Sequence, residues 1–146
     1  MLINQDIHMV PLESVNIEEL RNHLLVSNSV EDYANQILMN LIAQNLPIIT
    51  SLECRGWGIE KYTPENNNVM VCDDTKDRQS IVSCKLFLTD GGLITFVNHN
   101  TQYAPSEGDV LIYPSNYINT YSMSDIPEEG VIALCGYFKY RQTEEG

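Results

Sequence analysis

Leu86-Phe-Leu-Thr-Asp-Gly-Gly-Leu-Ile-Thr-Phe96, Tyr103-Ala-Pro-Ser-Glu-Gly-Asp-Val-Leu-Ile-Tyr-Pro-Ser115 and Gly130-Val-Ile-Ala-Leu-Cys-Gly-Tyr-Phe-Lys-Tyr140 are three short apolar blocks rich in β-branched and aromatic residues. Each is closed by Gly, Pro, Asp or Ser, as antiparallel strands joined by tight turns are. In Pro105-Ser-Glu-Gly108 the proline presets φ for a first corner, and the glycine permits a positive φ at the end. Asp90-Gly-Gly92 makes the same kind of turn one strand earlier.

The order of these blocks carries a resemblance. A strand, Asp90-Gly-Gly-Leu-x-x-Phe96, a loop, Ala104-Pro-x-x-Gly-Asp-x-Leu-x-x-Pro-Ser115, then Gly130 and a strand through Tyr137-Phe138 resemble the 2-oxoglutarate and Fe(II)-dependent oxygenases. Within that family the pattern is most similar to the small prolyl 4-hydroxylase-like proteins of bacteria and tailed phages. The resemblance runs from about Gly58 to Tyr140. It implies a mainly β chain with N-terminal helices, a double-stranded β-helix or jelly-roll sandwich with a helix packed on one sheet.

A chain of 146 residues is one domain, divided here into an arm and helices over 1–47 and a jelly-roll core over 48–146. The 43% hydrophobic fraction is ordinary for a globular fold, so a core is expected without disulfides or metal. No apolar run is long enough to cross a bilayer, and the N-terminus lacks the basic flank of a signal peptide. The expectation is a cytoplasmic protein, in a host cell or a virion if phage-encoded. A net charge of −12 repels nucleic acid, so phosphate-backbone binding is excluded. Cys54, Cys72, Cys84 and Cys135 form no Cys-x-x-Cys pair. Cysteines placed within strands are expected to be reduced and unbridged.

Along the chain, Met1 to Leu12 is extended in character and suits an edge strand or arm. Asn16 and Glu19 form a capping box for a helix to about Leu25. Ser29 caps a second helix, Val30 to Asn45. Its residues Val30, Tyr33, Ala34, Ile37, Leu38, Leu41 and Ile42 make one apolar stripe, and Pro47 follows. Ile48 to Leu52, Trp57 to Tyr62, Val69 to Cys72 and Ser80 to Leu88 read as strands.

The resemblance also implies a site. The family holds iron with His-x-Asp, a distal His and, past a glycine, an Arg that grips the far carboxylate of 2-oxoglutarate. Those positions fall on Val71-Cys72-Asp73, on Asn119 and on Ile132. Only the carboxylate survives. Val and Ile cannot ligate a metal, Asn is a weak neutral ligand, and Ile offers no donor to an anion. Asp73, Cys72 and His99 remain as candidate ligands, and Arg78 reads as an ion-pair partner. His8 lies in the arm and His23 on the first helix.

These losses together imply no catalytic residues, no metal and no cofactor, with Fe(II) and 2-oxoglutarate as the alternative. The expected function is a catalytically silent, oxygenase-like jelly roll serving as a structural or protein-interaction component, with a tailed-phage virion as a setting. Its partners are then other protein subunits in an assembly or homo-oligomer, with neither nucleic acid nor membrane. Two alternatives stand beside it. One is an active Fe(II)/2-oxoglutarate dioxygenase with an atypical site. The other is a lectin-like or cupin-like module that stacks ligands on Tyr103, Tyr113, Tyr117 and Tyr121.

Overall fold

The computed structural model describes residues 7–11, 38–45, 52–72, 81–115 and 119–140. Two antiparallel sheets face one another. The larger is built from β1 (His8–Pro11), β2 (Leu52–Tyr62), β4 (Val82–Phe87), β7 (Asp109–Pro114) and β9 (Val131–Tyr140), in the order β1-β7-β4-β9-β2. The smaller holds β3 (Met70–Val71), β5 (Leu93–Phe96), β6 (Thr101–Tyr103) and β8 (Tyr121–Ser124), in the order β3-β8-β5-β6. Chain neighbours such as β3 and β4 lie in opposite sheets, which is the crossing pattern of a jelly roll. Among the described residues one α-helix is present, α1 (Met39–Asn45).

Alternation along each strand sorts the side chains into two cores. On β9, Val131, Ala133, Cys135 and Tyr137 face the space between the sheets, while Ile132, Leu134 and Phe138 face outward. The outward face joins Leu86, Val110 and Ile112 with Leu38 and Ile42 at α1. Both are fully buried, so the end of the apolar stripe packs on the back of the larger sheet. The capped beginnings of the two expected helices lie outside the described residues.

Several expectations need adjustment. The strand read as Trp57 to Tyr62 begins earlier, at Leu52, as one strand of 11 residues with a bulge between Cys54 and Gly56; of the stretch read from Ile48 to Leu52, all but Leu52 lies outside the described residues. Gly56 has φ 147°, which relieves the extra residue there. The edge-strand reading of the N-terminus holds over His8–Pro11, where β1 pairs residue for residue with β7 at the end of the larger sheet. The Pro105 turn is shifted by one. Its closing bond runs from the Asp109 amide to the Ser106 carbonyl at 3.0 Å, so Glu107 and Gly108 are the corners and Pro105 precedes them. Gly108 has the positive φ, 94°, that the second corner requires. Asp109 braces the turn by accepting the Ser106 amide at 2.8 Å and the Tyr103 hydroxyl. The four cysteines are free thiols.

Candidate functional site

β2 ends the larger sheet and β3 ends the smaller, so the sandwich is open along the seam between them. A cavity of about 420 Å³ lies in that seam, a size that suits a small molecule. Glu60 and Tyr62 line it from β2, Val69 and Val71 from β3 and its approach, and Tyr121 and Met123 from β8. The loop after β2 shapes one wall. Its Thr63 amide donates to Asn66 Oδ1 at 2.8 Å, and Asn66 turns toward the cavity.

Behind Glu60 stands a polar cluster within the inner core. Lys85, on β4, is 1% exposed. Its ammonium donates to the Tyr62 hydroxyl at 3.0 Å and lies 3.6 Å from Cys135 Sγ and 3.6 Å from Glu60 Oε1. Its centre is 5.2 Å from the Tyr121 ring and 5.8 Å from the Tyr62 ring, within cation–π range. Glu60 also accepts the hydroxyl of Tyr62 on Oε1 and of Tyr137 on Oε2, each at 2.6 Å. A carboxylate thus sits in a cradle of two phenols and an ammonium. Burial pushes the Lys85 ammonium down. The surrounding groups, Tyr113 first and then Cys135, Tyr121 and Tyr62, outweigh it and hold that ammonium well above its ordinary value. Burial pushes the Tyr62 phenol far up, against the opposing pull of Lys85. Lys85 therefore stays charged and Tyr62 neutral at physiological pH.

The positions singled out in the sequence fall around this seam unevenly. Val71 faces inward and pairs across the strands with Tyr121, not Asn119. The two side chains that meet there are an alkyl group and a phenol. Asn119 is buried elsewhere, donating to the Pro114 carbonyl at 2.9 Å and bonded through Oδ1 to His99 Nε2 at 2.7 Å. His99 closes a 3-10 turn after β5, so these two candidates are brought together, but with each other. Ile132 lies on the wrong face for a cosubstrate contact, packed against the outer core; its neighbours Val131 and Ala133 face inward. Cys72 is half-buried next to inward-facing Val71. Asp73, Arg78, Tyr117 and His23, and the side chain of His8, lie outside the described part of the chain. Among the described residues, no group of three His, Cys, Asp or Glu gathers to hold a metal. Among the described residues, the seam does not bring two imidazoles and a carboxylate together.

Tyr113 and Tyr121 are core residues, in edge-to-face contact at 6.0 Å, and Tyr103 is held by Asp109. They do not form an exposed stacking surface, although Tyr121 reaches the cavity wall. The sequence reading missed Glu60, Tyr62, Tyr137 and the role of Lys85. A signal was present: a lysine at an inward position of an otherwise uncharged strand, Val82–Phe87. Lys85 pairs with Glu60 at 3.6 Å.

No protein-family model matches the chain, and no curated protein matches it in sequence. Solved structures do match in shape. The viral collagen prolyl hydroxylase of Paramecium bursaria Chlorella virus-1 superposes with a TM-score of 0.72 at 12% identity, over 94% of this chain and 91% of that one. A Pseudomonas putida prolyl-4-hydroxylase gives 0.64 at 15% identity, over 93% of each chain. HygX from Streptomyces hygroscopicus gives 0.60 at 10% identity, over 92% of this chain and 82% of its own. The expectation of a fold without a cofactor is corrected by these structures. The viral hydroxylase is seen with 2-oxoglutarate, and HygX with nickel and 2-oxoglutarate and with iron. At these identities the likeness is one of fold: this chain has the double-stranded β-helix fold of the prolyl 4-hydroxylase-like 2-oxoglutarate/Fe(II) oxygenases.

Proposed function

We propose that this chain is an oxygenase-fold jelly roll that has stopped carrying out iron-dependent oxidation and acts as a structural or protein-interaction component. The observation that supports this reading is the pair Val71 and Tyr121, which face one another at the seam where the fold's metal donors would be expected. A methyl-bearing side chain cannot donate to a metal. A neutral phenol is a poor ligand for Fe(II) beside imidazole and carboxylate. The partners proposed are other protein subunits, and the resemblance to small phage proteins makes a tailed-phage virion the setting to examine first.

The test is turnover. Protein incubated with Fe(II), ascorbate and 2-oxoglutarate in air is assayed for succinate, with a prolyl hydroxylase as positive control. Succinate at the level of a protein-free blank is expected. Sustained release, abolished by chelator, would overturn the reading and return attention to Asp73 with Cys72 or His99.

A further inference from the structure

We infer that β2 is a self-pairing edge: two copies of this chain associate by antiparallel pairing of their β2 strands centred on Ile59, so that the larger sheet runs on from one copy into the other. The direction of the backbone groups carries the argument. On β9 the carbonyls of Ile132 and Phe138 accept the amides of Leu88 and Ile81 at 2.8 and 2.7 Å, so the even-numbered residues of that strand turn their polar groups toward β4. Val131, Ala133, Cys135 and Tyr137 therefore turn theirs toward β2, where they meet Tyr62, Glu60, Gly58 and Gly56. The alternate residues of β2 past its bulge, Trp57, Ile59 and Lys61, then point their amides and carbonyls away from the sheet. Among the described residues β2 is the last strand on that side, and no group donates to or accepts from the outward backbone of Ile59 or Lys61. A row of outward backbone groups on an edge is a template for another strand.

The side chains agree. Ile59 is 49% exposed and belongs to neither core, where an edge that avoids other strands carries charge. Gly58 beside it has nothing within 4 Å of where a Cβ would stand, which leaves room for a neighbouring backbone. The register follows from the sequence of the strand. With Ile59 opposite the partner's Ile59, Lys61 falls opposite the partner's Trp57 and Glu60 opposite the partner's Gly58. Apolar meets apolar, an ammonium meets a half-buried indole, and no like charges oppose one another. Sliding to the next register in one direction sets Glu60 against the partner's Glu60. Sliding the other way separates the two isoleucines and carries Lys61 onto the partner's bulge. A two-fold axis through the isoleucine pair closes the contact, so association stops at a dimer. The inference deepens the functional reading above by naming a second copy of the chain as a partner.

The experiment is sedimentation velocity on the full chain from about 1 μM to about 1 mM, with hydrogen exchange read at single amides over the same range. A concentration-dependent dimer is expected. In it the Ile59 and Lys61 amides gain protection, while the Gly58 and Glu60 amides, already turned toward β9, do not change. Ile59→Lys sets ammonium against ammonium across the axis and should weaken association about tenfold or more. Its melting temperature should hardly move, because the side chain lies at the surface and outside both cores. Val97→Lys, the same change at another exposed apolar position, should leave the dimer intact. A chain still monomeric at about 1 mM would overturn the inference. So would a dimer whose Ile59 and Lys61 amides stay unprotected, or a folded Ile59→Lys protein that dimerises as well as its parent. Succinate release in the turnover assay would remove the proposed function and leave the dimer standing, whereas a monomer would remove the dimer and leave the assay untouched.

Discussion

Gly136 carries no side chain because the indole of Trp57 lies where one would be. A Cβ there would come within 2.5 Å of Trp57 Cζ3. The ring also makes an edge-to-face contact with Phe138, centroids 5.8 Å apart, which it would lose by turning aside. Gly136→Ala is therefore expected to destabilise the protein by about 1–3 kcal/mol, the usual cost of overpacking, read from urea unfolding at constant m-value. A neutral result would mean the indole turns aside freely. The same local logic governs Lys85. Its aromatic neighbours and Glu60 make a charge tolerable at a position that alternation assigns to the core.

The end of the long apolar stripe, at α1, is held by its contact with the larger sheet. Leu38 and Ile42, both without exposed surface, dock against the outward face that includes Leu86, Leu134 and Phe138. Ile42→Ala removes buried methylenes and leaves a cavity between helix and sheet, so a loss of about 2–5 kcal/mol is expected in the same unfolding assay. The inner core, which contains the seam, should remain assembled, because Ile42 touches only the outer one. A near-neutral Ile42→Ala would show that the helix contributes little to holding the sheet.

Stability of the whole fold should depend on alkaline pH in one direction. Burial raises the Cys84 thiol, the Tyr62 phenol and, with the hydrogen bond to Asp109, the Tyr103 phenol. Lys85 is held above its ordinary value as well. For each group the folded protein keeps a proton that the unfolded chain gives up at about 8.5 for Cys and about 10 for Tyr and Lys. The unfolded state then binds fewer protons, so stability falls as pH rises. Below pH ~8 the contribution is fully present. From pH ~9 upward the melting temperature should decline steadily, and Lys85→Met should make that decline shallower. A melting temperature flat to pH ~11 would contradict the burial assigned to these groups.

Much of this fold is legible from local chemistry. Continuous apolar runs mark β4, β7 and β9, because strands of the larger sheet are buried on both faces, and the shorter β5 shows the alternation of a strand buried on one. Glycine at a required positive φ marks Asp90-Gly-Gly92 and Gly108, since the constraint lies within the turn itself. Register is another matter. Whether Val71 opposes Asn119 or Tyr121, and whether Ile132 faces inward, depends on hydrogen-bonded pairing between distant segments, and a slip of one residue exchanges the faces. The site was hidden for the same reason. Tyr137 and Glu60 are 77 residues apart in the chain, and Lys85 and Cys135 are 50 apart. Residue types and local spacing told which segments are strands and where they turn. Only the closing of two sheets on one another decided which side chains share the seam, because a buried cluster of charge and phenols is made of long-range contacts that no window along the chain contains.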